Sequence, residues 1–256
     1  MSLNKAYYGG YTEKAKKRKC SIVLLCAAVL LAIIIVFVQL GHAHRHPSDD
    51  PGSVENISLD TIPEYSGSPY IEINNNVPYF LDDDLTTETY ENYSQLDYLG
   101  RCGSAMACLG IETMPTEERG SIGMIKPTGW HTIRYDGIIE DKYLYNRSHL
   151  IAYSLSGENA NELNLITGTR YLNVSGMLPY EIKTADYIEE THNHVLYRVT
   201  PIFDGDNLLA SGVLMEAKSV EDNGAGLQFN IYAYNIQPGI LIDYCDGESS
   251  AQMHTP

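Results

Sequence analysis

The sequence predicts an α+β domain on a mainly antiparallel sheet, preceded by one transmembrane helix. Three observations carry this. First, apolar runs at 195–203, 209–219 and 227–234 are joined by Asp204-Gly205-Asp206-Asn207 and Asp222-Asn223-Gly224-Ala225-Gly226. These connections are short and rich in turn residues, as antiparallel hairpins require. Second, residues 180–191 place Tyr180, Ile182, Ala185, Tyr187 and Ile188 at helical spacing. Third, residues 21–40 are apolar except for Ser21 and Gln39 and follow the basic run Lys14-Ala15-Lys16-Lys17-Arg18-Lys19. About 20 such residues span a bilayer core, and a basic flank stays cytoplasmic.

The 256 residues are 44% hydrophobic, which excludes a chain disordered throughout. Residues 1–41 hold six of the 17 Lys/Arg and one of the 33 Asp/Glu. Residues 42–256 are left with 11 basic and 32 acidic residues, a formal balance of −21. That excludes a broad basic face for a polyanion. Any site for one must be local, built from a few cations and a metal.

In chain order, residues 1–20 form a basic cytoplasmic segment and 21–40 a signal anchor. A cleaved signal peptide ending near Gly41-His42-Ala43 is the competing reading. Residues 41–58 are a polar linker, in which His42, His44 and His46 read as spacer before metal ligands. The folded domain covers 59–246, and 247–256 form a loose tail. Tyr70-Ile71-Glu72-Ile73 followed by Asn74-Asn75-Asn76 predicts a strand and a turn. Asp82-Asp83-Asp84 lacks the spaced ligands and glycine of a calcium loop, and reads as a turn or as the cap of the segment 85–93. Residues 98–108 are rich in small residues and read as a loop. Cys102 and Cys108 within it are candidates for a disulfide that spacing alone does not prove. Residues 114–123 read as an exposed loop, 129–135 as a strand, Asp136-Gly137 as a turn and 142–145 as the next strand.

The chemistry concentrates in 145–181. Asn146-Arg147-Ser148-His149 sets an Arg and a His two positions apart at the end of a strand. A short apolar run, 163–166, then leads into a helix carrying Asn173, with Glu181 beyond. Phosphodiester hydrolysis needs an activated water, stabilised charge on the phosphoryl oxygens and help for the leaving oxygen. His149 suits the first task, with an unperturbed pKa of about 6.5. Asn173 offers a hard carbonyl oxygen of the kind Mg²⁺ accepts while keeping most of its waters. Glu181 is about two helical turns further on, able to hold such waters. Arg147 can pair with a phosphate through two N–H groups. By spacing alone a structural His and a helix-capping Asn are the commoner reading of these residues.

Asn146-Arg147-Ser148-His149 resembles the Asp-Arg-Gly-His motif of the DNA/RNA non-specific endonucleases, the ββα-metal or His-Me finger class. Within it the sequence resembles secreted or membrane-anchored DNases of Gram-positive bacteria. The resemblance covers about 70–243 and is most specific over 130–181. It implies His149 as general base, Asn173 as the one direct protein ligand of Mg²⁺, and Arg147 as a phosphate contact. It also implies Asn164, nine residues before Asn173, as a supporting residue, and Glu181, eight residues after Asn173, as the residue orienting metal waters. Asn146 for Asp removes a charge, and Ser148 for Gly demands an unstrained backbone.

The expectation is therefore a Mg²⁺-dependent endonuclease, with Mn²⁺ able to substitute, held outside the cell by its N-terminal helix. It would cut DNA with little sequence preference, RNA being left open as a second substrate. Arg170 and Arg134 are further candidates for substrate contact, and no obligate protein partner is implied. The alternative is a non-catalytic surface protein that keeps the fold.

Overall fold

The structure, a computed structural model, describes residues 59–252. The expected anchor at 21–40, the basic segment before it and the linker 41–58 lie outside the described residues. Among the described residues no helix is long and apolar enough to cross a membrane.

The strands are β1 (Tyr70–Glu72), β2 (Tyr90–Tyr93), β3 (Ala105–Leu109), β4 (Tyr145–His149), β5 (Leu165–Thr169), β6 (Val195–Ile202), β7 (Gly212–Ser219), β8 (Gln228–Tyr234), β9 (Ile240–Ile242) and β10 (Ser249–Ala251). The helices are α1 (Tyr153–Ser156) and α2 (Leu178–Thr191). Six strands form one sheet in the order β1-β8-β7-β6-β3-β2, every neighbouring pair antiparallel. The three C-terminal strands expected from the hairpin pattern are all present, and α2 covers the expected helix.

Side-chain alternation gives this sheet two different faces. Val195, Tyr197, Val199, Val213, Met215, Ala217, Phe229, Ile231 and Ala233 share the main core with Leu150, Ile151 and Leu155 around α1, and with Leu172, Met177 and Ile188 around α2. The opposite face carries a transverse row, Arg198↔Glu216↔Asn230, at 0–1% exposure. Arg198 Nε donates to Glu216 Oε2 at 2.7 Å. The segment after β1 closes this face: Tyr79 N donates to Glu216 Oε1 at 2.7 Å, Asn230 Nδ2 donates to the Val77 carbonyl at 2.8 Å, and Phe80 lies 5.0 Å from the Arg198 guanidinium. The turn that starts the strap runs through Asn74, Asn75 and Asn76, all at positive φ, a conformation asparagine tolerates.

Three expectations fail. The loop read over 98–108 contains β3, which pairs with both β2 and β6. Asp82-Asp83-Asp84 is the turn of its two readings, a single 3₁₀ turn, and the segment after it leads to β2 rather than to a capped helix. Residues 129–135 form no strand and make only the bridge Arg134↔Tyr143. Within the tail read as loose, Ser249–Ala251 pairs with β9. The cysteines are also unbridged. They sit six positions apart along near-extended chain, roughly 20 Å at ~3.3 Å per residue, far beyond disulfide reach. Cys102 Sγ instead bonds the carbonyls of Glu162 and Leu165, each at 3.2 Å, and Cys108 Sγ that of Thr86 at 3.0 Å.

Candidate active site

β4 and β5 form a two-stranded antiparallel ribbon apart from the large sheet, and the chain leaves β5 into a helix. The motif is itself the strand rather than the residues after it. Its alternation sends Tyr145, Arg147 and His149 to one side and Asn146 and Ser148 to the other. On that second side Ser148 is buried at 0% exposure, diagonally across the ribbon from Gly168, where an added Cβ would overlap the Ser148 hydroxyl. Gly168 therefore makes room for the side chain that stands where the motif has glycine. Ser148 Oγ has no hydrogen-bond partner among the described residues.

His149 is 6% exposed. Its Nδ1 is 3.1 Å from Arg119 Nη2, and its Nε2 is 2.8 Å from the Asn159 carbonyl oxygen. A guanidinium only donates, so Nδ1 accepts. Nε2 must then carry the proton and donate to Asn159. The imidazole is fixed as the neutral Nε2–H tautomer with its lone pair on the Arg119 side. Burial pushes its pKa below the ordinary histidine value, the Asn159 carbonyl opposes that, and the Arg119 charge adds to it.

Asn164, fully buried, bonds Ile151 from both ends of its carboxamide. Oδ1 accepts from Ile151 N at 2.9 Å, Nδ2 donates to Ile151 O at 3.0 Å, and the Asn164 carbonyl takes Leu150 N at 2.9 Å. It fixes the backbone just past His149 and is out of reach of a substrate, so it holds the site rather than reacting in it.

Asn173 lies in a wide π turn, Leu172–Met177, that runs into α2, and the Leu178 N–H reaches back five residues to the Asn173 carbonyl. Pro179 has no N–H to offer an ordinary helix at this point, and the wide turn occupies that junction. The inserted residue also changes the geometry on which the eight-residue interval to Glu181 rests. Eight residues with one inserted equal about seven α-helical positions, two turns to within roughly 20°. Asn173 and Glu181 thus share one side of the helix. The Asn173 side chain is half-buried and makes no hydrogen bond to the described residues. Removal from water pushes Glu181 up to about 7, against the lowering effect of the Arg119 charge.

The described residues contain no group of three or more His, Cys, Asp or Glu able to cage a metal. A hard cation that keeps most of its own waters asks for less. One free amide oxygen with a carboxylate on the same helix side fits it.

Arg147 is not free. Nε donates to the Ile125 carbonyl, Nη2 to that of Gly123 at 3.0 Å, and the guanidinium stacks 3.9 Å from the Trp130 ring centroid. It clamps the segment 123–130 beside the site. Arg170 pairs with Asp141, and Arg134 with Asp136 at 3.0 Å. The cation that meets His149 is Arg119, from the loop expected only to be exposed, and the sequence reading missed it. Its one signal in the chain is scarcity, as one of 11 cations in residues 42–256.

A strand pair feeding a helix, with the His on the first strand and the Asn at the helix start, is the ββα arrangement. Residues 82–221 match the model of the DNA/RNA non-specific endonuclease family, and the chain belongs to that family. It is similar to a "Deoxyribonuclease" of Streptococcus dysgalactiae subsp. equisimilis, 32% identical over 112 residues, 42% of this chain. The match spans 33% of that relative's length. Among solved structures it is similar to NucA from Streptococcus agalactiae with magnesium ion bound, at 27% identity and TM-score 0.62, covering 71% of this chain and 86% of that one. It is also similar to Sda1 nuclease with bound zinc ion, at 25% identity and TM-score 0.59, covering 77% of this chain and all of that one.

Proposed function

We propose that this protein is a Mg²⁺-dependent endonuclease that hydrolyses the phosphodiester bonds of DNA outside the cell, with His149 as general base. The observation that carries this reading is the fixed His149 tautomer. A proton on Nε2, held by the Asn159 carbonyl, leaves Nδ1 as the only nitrogen able to take a proton from water. Arg119, within hydrogen-bond reach of that nitrogen, supplies positive charge where a phosphoryl oxygen would sit. Asn173 would hold the metal directly and Glu181 would orient its waters. When bound, the metal supplies charge stabilisation for the phosphate and leaving oxygen. Asn164 keeps the His149 backbone in place, and Arg147 keeps the flanking loop in place. The magnesium-bound NucA structure and the deoxyribonuclease relative support the choice of metal and substrate. The low positive charge of the domain suits weak grip on long polyanions, with affinity concentrated at the metal and Arg119.

The test is incubation of the purified full chain with plasmid DNA, linear single-stranded DNA and RNA, each with Mg²⁺ and with EDTA. Metal-dependent internal cuts in DNA support the reading, and intact plasmid at every metal concentration refutes it. For location, the apolar run 21–40 behind its basic flank supports a retained anchor with the domain outside. Protease added to intact cells should then remove the domain. Full protection overturns the outward orientation, and a soluble form starting near His44 overturns retention.

A further inference from the structure

The contact between Arg119 and His149 poses a difficulty for catalysis. A general base works through a lone pair directed at the proton it takes. The only lone pair on the His149 ring is at Nδ1, and it already accepts from the Arg119 guanidinium at 3.1 Å. In this arrangement the base is masked.

The mask is held by a loop built to yield. Residues 116–121 are all exposed, and none lies in a helix or strand. Among the described residues the backbone of 118–121 makes no hydrogen bond, and the loop is pinned on either side of Arg119 by Tyr153 Oη on the Glu117 carbonyl at 2.6 Å and by the Ile122–Ile125 turn. Gly120 packs so close to Asn159 that an added Cβ would lie 2.7 Å from its Nδ2. The loop borders an open pocket of about 450 Å³, lined by Glu118, Gly120, Tyr153 and Glu158. Arg147, by contrast, is tied down by two carbonyls and a ring.

We infer that Arg119 is a substrate-displaced cap on the general base. In the free protein it occupies His149 Nδ1, and a nucleic-acid phosphodiester draws it away. A phosphate offers anionic oxygens to a guanidinium, which bonds them more strongly than it bonds one neutral ring nitrogen. The same movement that grips the phosphate exposes the base to water, so the nucleophile is activated only where a diester is bound. This inference rests on the nuclease reading and adds to it a role for Arg119 that couples its phosphate contact to the release of His149.

The test uses the metal-free full chain in EDTA, where a short oligothymidylate can bind without being cut. The ¹⁵N resonance of His149 Nδ1 is followed by histidine-selective NMR, and binding is measured separately by fluorescence anisotropy. The wild-type Nδ1 resonance should start at the position of a hydrogen-bonded acceptor and move downfield, to that of a free ring nitrogen, as the oligonucleotide saturates. In Arg119→Gln it should begin near the free position and move little. Saturation of the wild type without movement of Nδ1 overturns the cap and leaves the nuclease reading standing. An Arg119→Gln spectrum identical to wild type also overturns the cap. Failure of the oligonucleotide to bind, together with absence of cleavage in Mg²⁺, overturns both.

Discussion

The large sheet and the β4–β5 ribbon both place charged and amide side chains where little water reaches them, and they use these groups in opposite ways. On the sheet the row Arg198, Glu216 and Asn230 turns inward. Arg198 bonds Glu216, while Glu216 and Asn230 bond the backbone of the strap at Tyr79 and Val77. Around the ribbon, Asn173 keeps its carboxamide free of partners among the described residues, Glu181 is held at a raised pKa, and His149 directs its one lone pair toward an exposed loop. On the sheet these groups are bonded mainly to one another and to backbone, which makes structure. Around the ribbon they keep bonding capacity and are held in place by others such as Asn164, as a candidate site requires.

The sharpest way to break this comparison is to remove the proposed base. His149→Ala should lower DNA cleavage by about 10²–10⁴-fold, the range for general-base catalysis, with little loss of DNA or metal binding. Added imidazole should restore part of the rate, because the vacated space has that shape. Asn173→Ala should instead weaken Mg²⁺ binding by calorimetry, and imidazole should not help. Near-normal rates in folded His149→Ala refute the assignment of the whole ribbon.

On the sheet the expected effect is of similar size but falls on stability. Glu216→Ala strands a buried guanidinium and unties Tyr79, and breaking such a pair costs about 3–5 kcal/mol. Denaturant unfolding should show that loss while the activity per folded molecule stays close to wild type. A fall in specific activity without loss of stability would mean that the row belongs to the site after all.

Titration separates the regions more finely. The folded pKa of His149 lies below its unfolded value, so the unfolded chain takes up the proton first as pH falls. The stability held by neutral His149 is complete above the unfolded pKa of about 6.5 and is lost as pH drops below it. Activity should gain its neutral base at a pH below the ordinary histidine value. Glu181 has the opposite sign. With its pKa pushed up to about 7, the folded metal-free protein holds a proton that the unfolded chain gives up near pH 4.5, so stability falls between those values as pH rises. Glu181→Gln should therefore stabilise the metal-free protein at pH 8 and change little at pH 4. Equal effects at both pH values would contradict a desolvated carboxylate at this position.

The two regions also differed in how far the sequence revealed them. β6, β7 and β8 were legible because each alternates or runs apolar between Asp- and Gly-rich turns. β3 was not, because Ala105, Ala107 and Cys108 are small and the strand is buried on both faces, leaving no alternation to read. The polar motif Asn146 to His149 looked like the end of a strand, yet it is the strand, paired residue by residue with β5. The spacing of Asn164, Asn173 and Glu181 falls on the entry to β5, the π turn and the first turn of α2. The π turn that aligns the last two has no periodic signature, and Arg119 reaches His149 from 30 residues away through tertiary structure alone. The free arginine expected at 147 proved to be a clamp, since nothing local to the motif shows which carbonyls surround it.

The smallest expected effect concerns Ser148, and it tests whether the ribbon carries a cost without a catalytic return. Its hydroxyl is buried with no hydrogen-bond partner among the described residues, against a glycine that leaves just enough room for it. Burying such a group unsatisfied costs about 1–3 kcal/mol, and Ser148→Ala removes the hydroxyl while keeping the Cβ that the β4–β5 packing already accommodates. The substitution should therefore raise stability by about 1 kcal/mol in denaturant unfolding, the lower end of that range, because alanine leaves a small void. Ser148 points to the side of β4 away from His149, so the rate should not change. A loss of stability would show that the hydroxyl has found a partner, such as a bound water. A loss of rate at unchanged stability would place Ser148 among the groups that position His149.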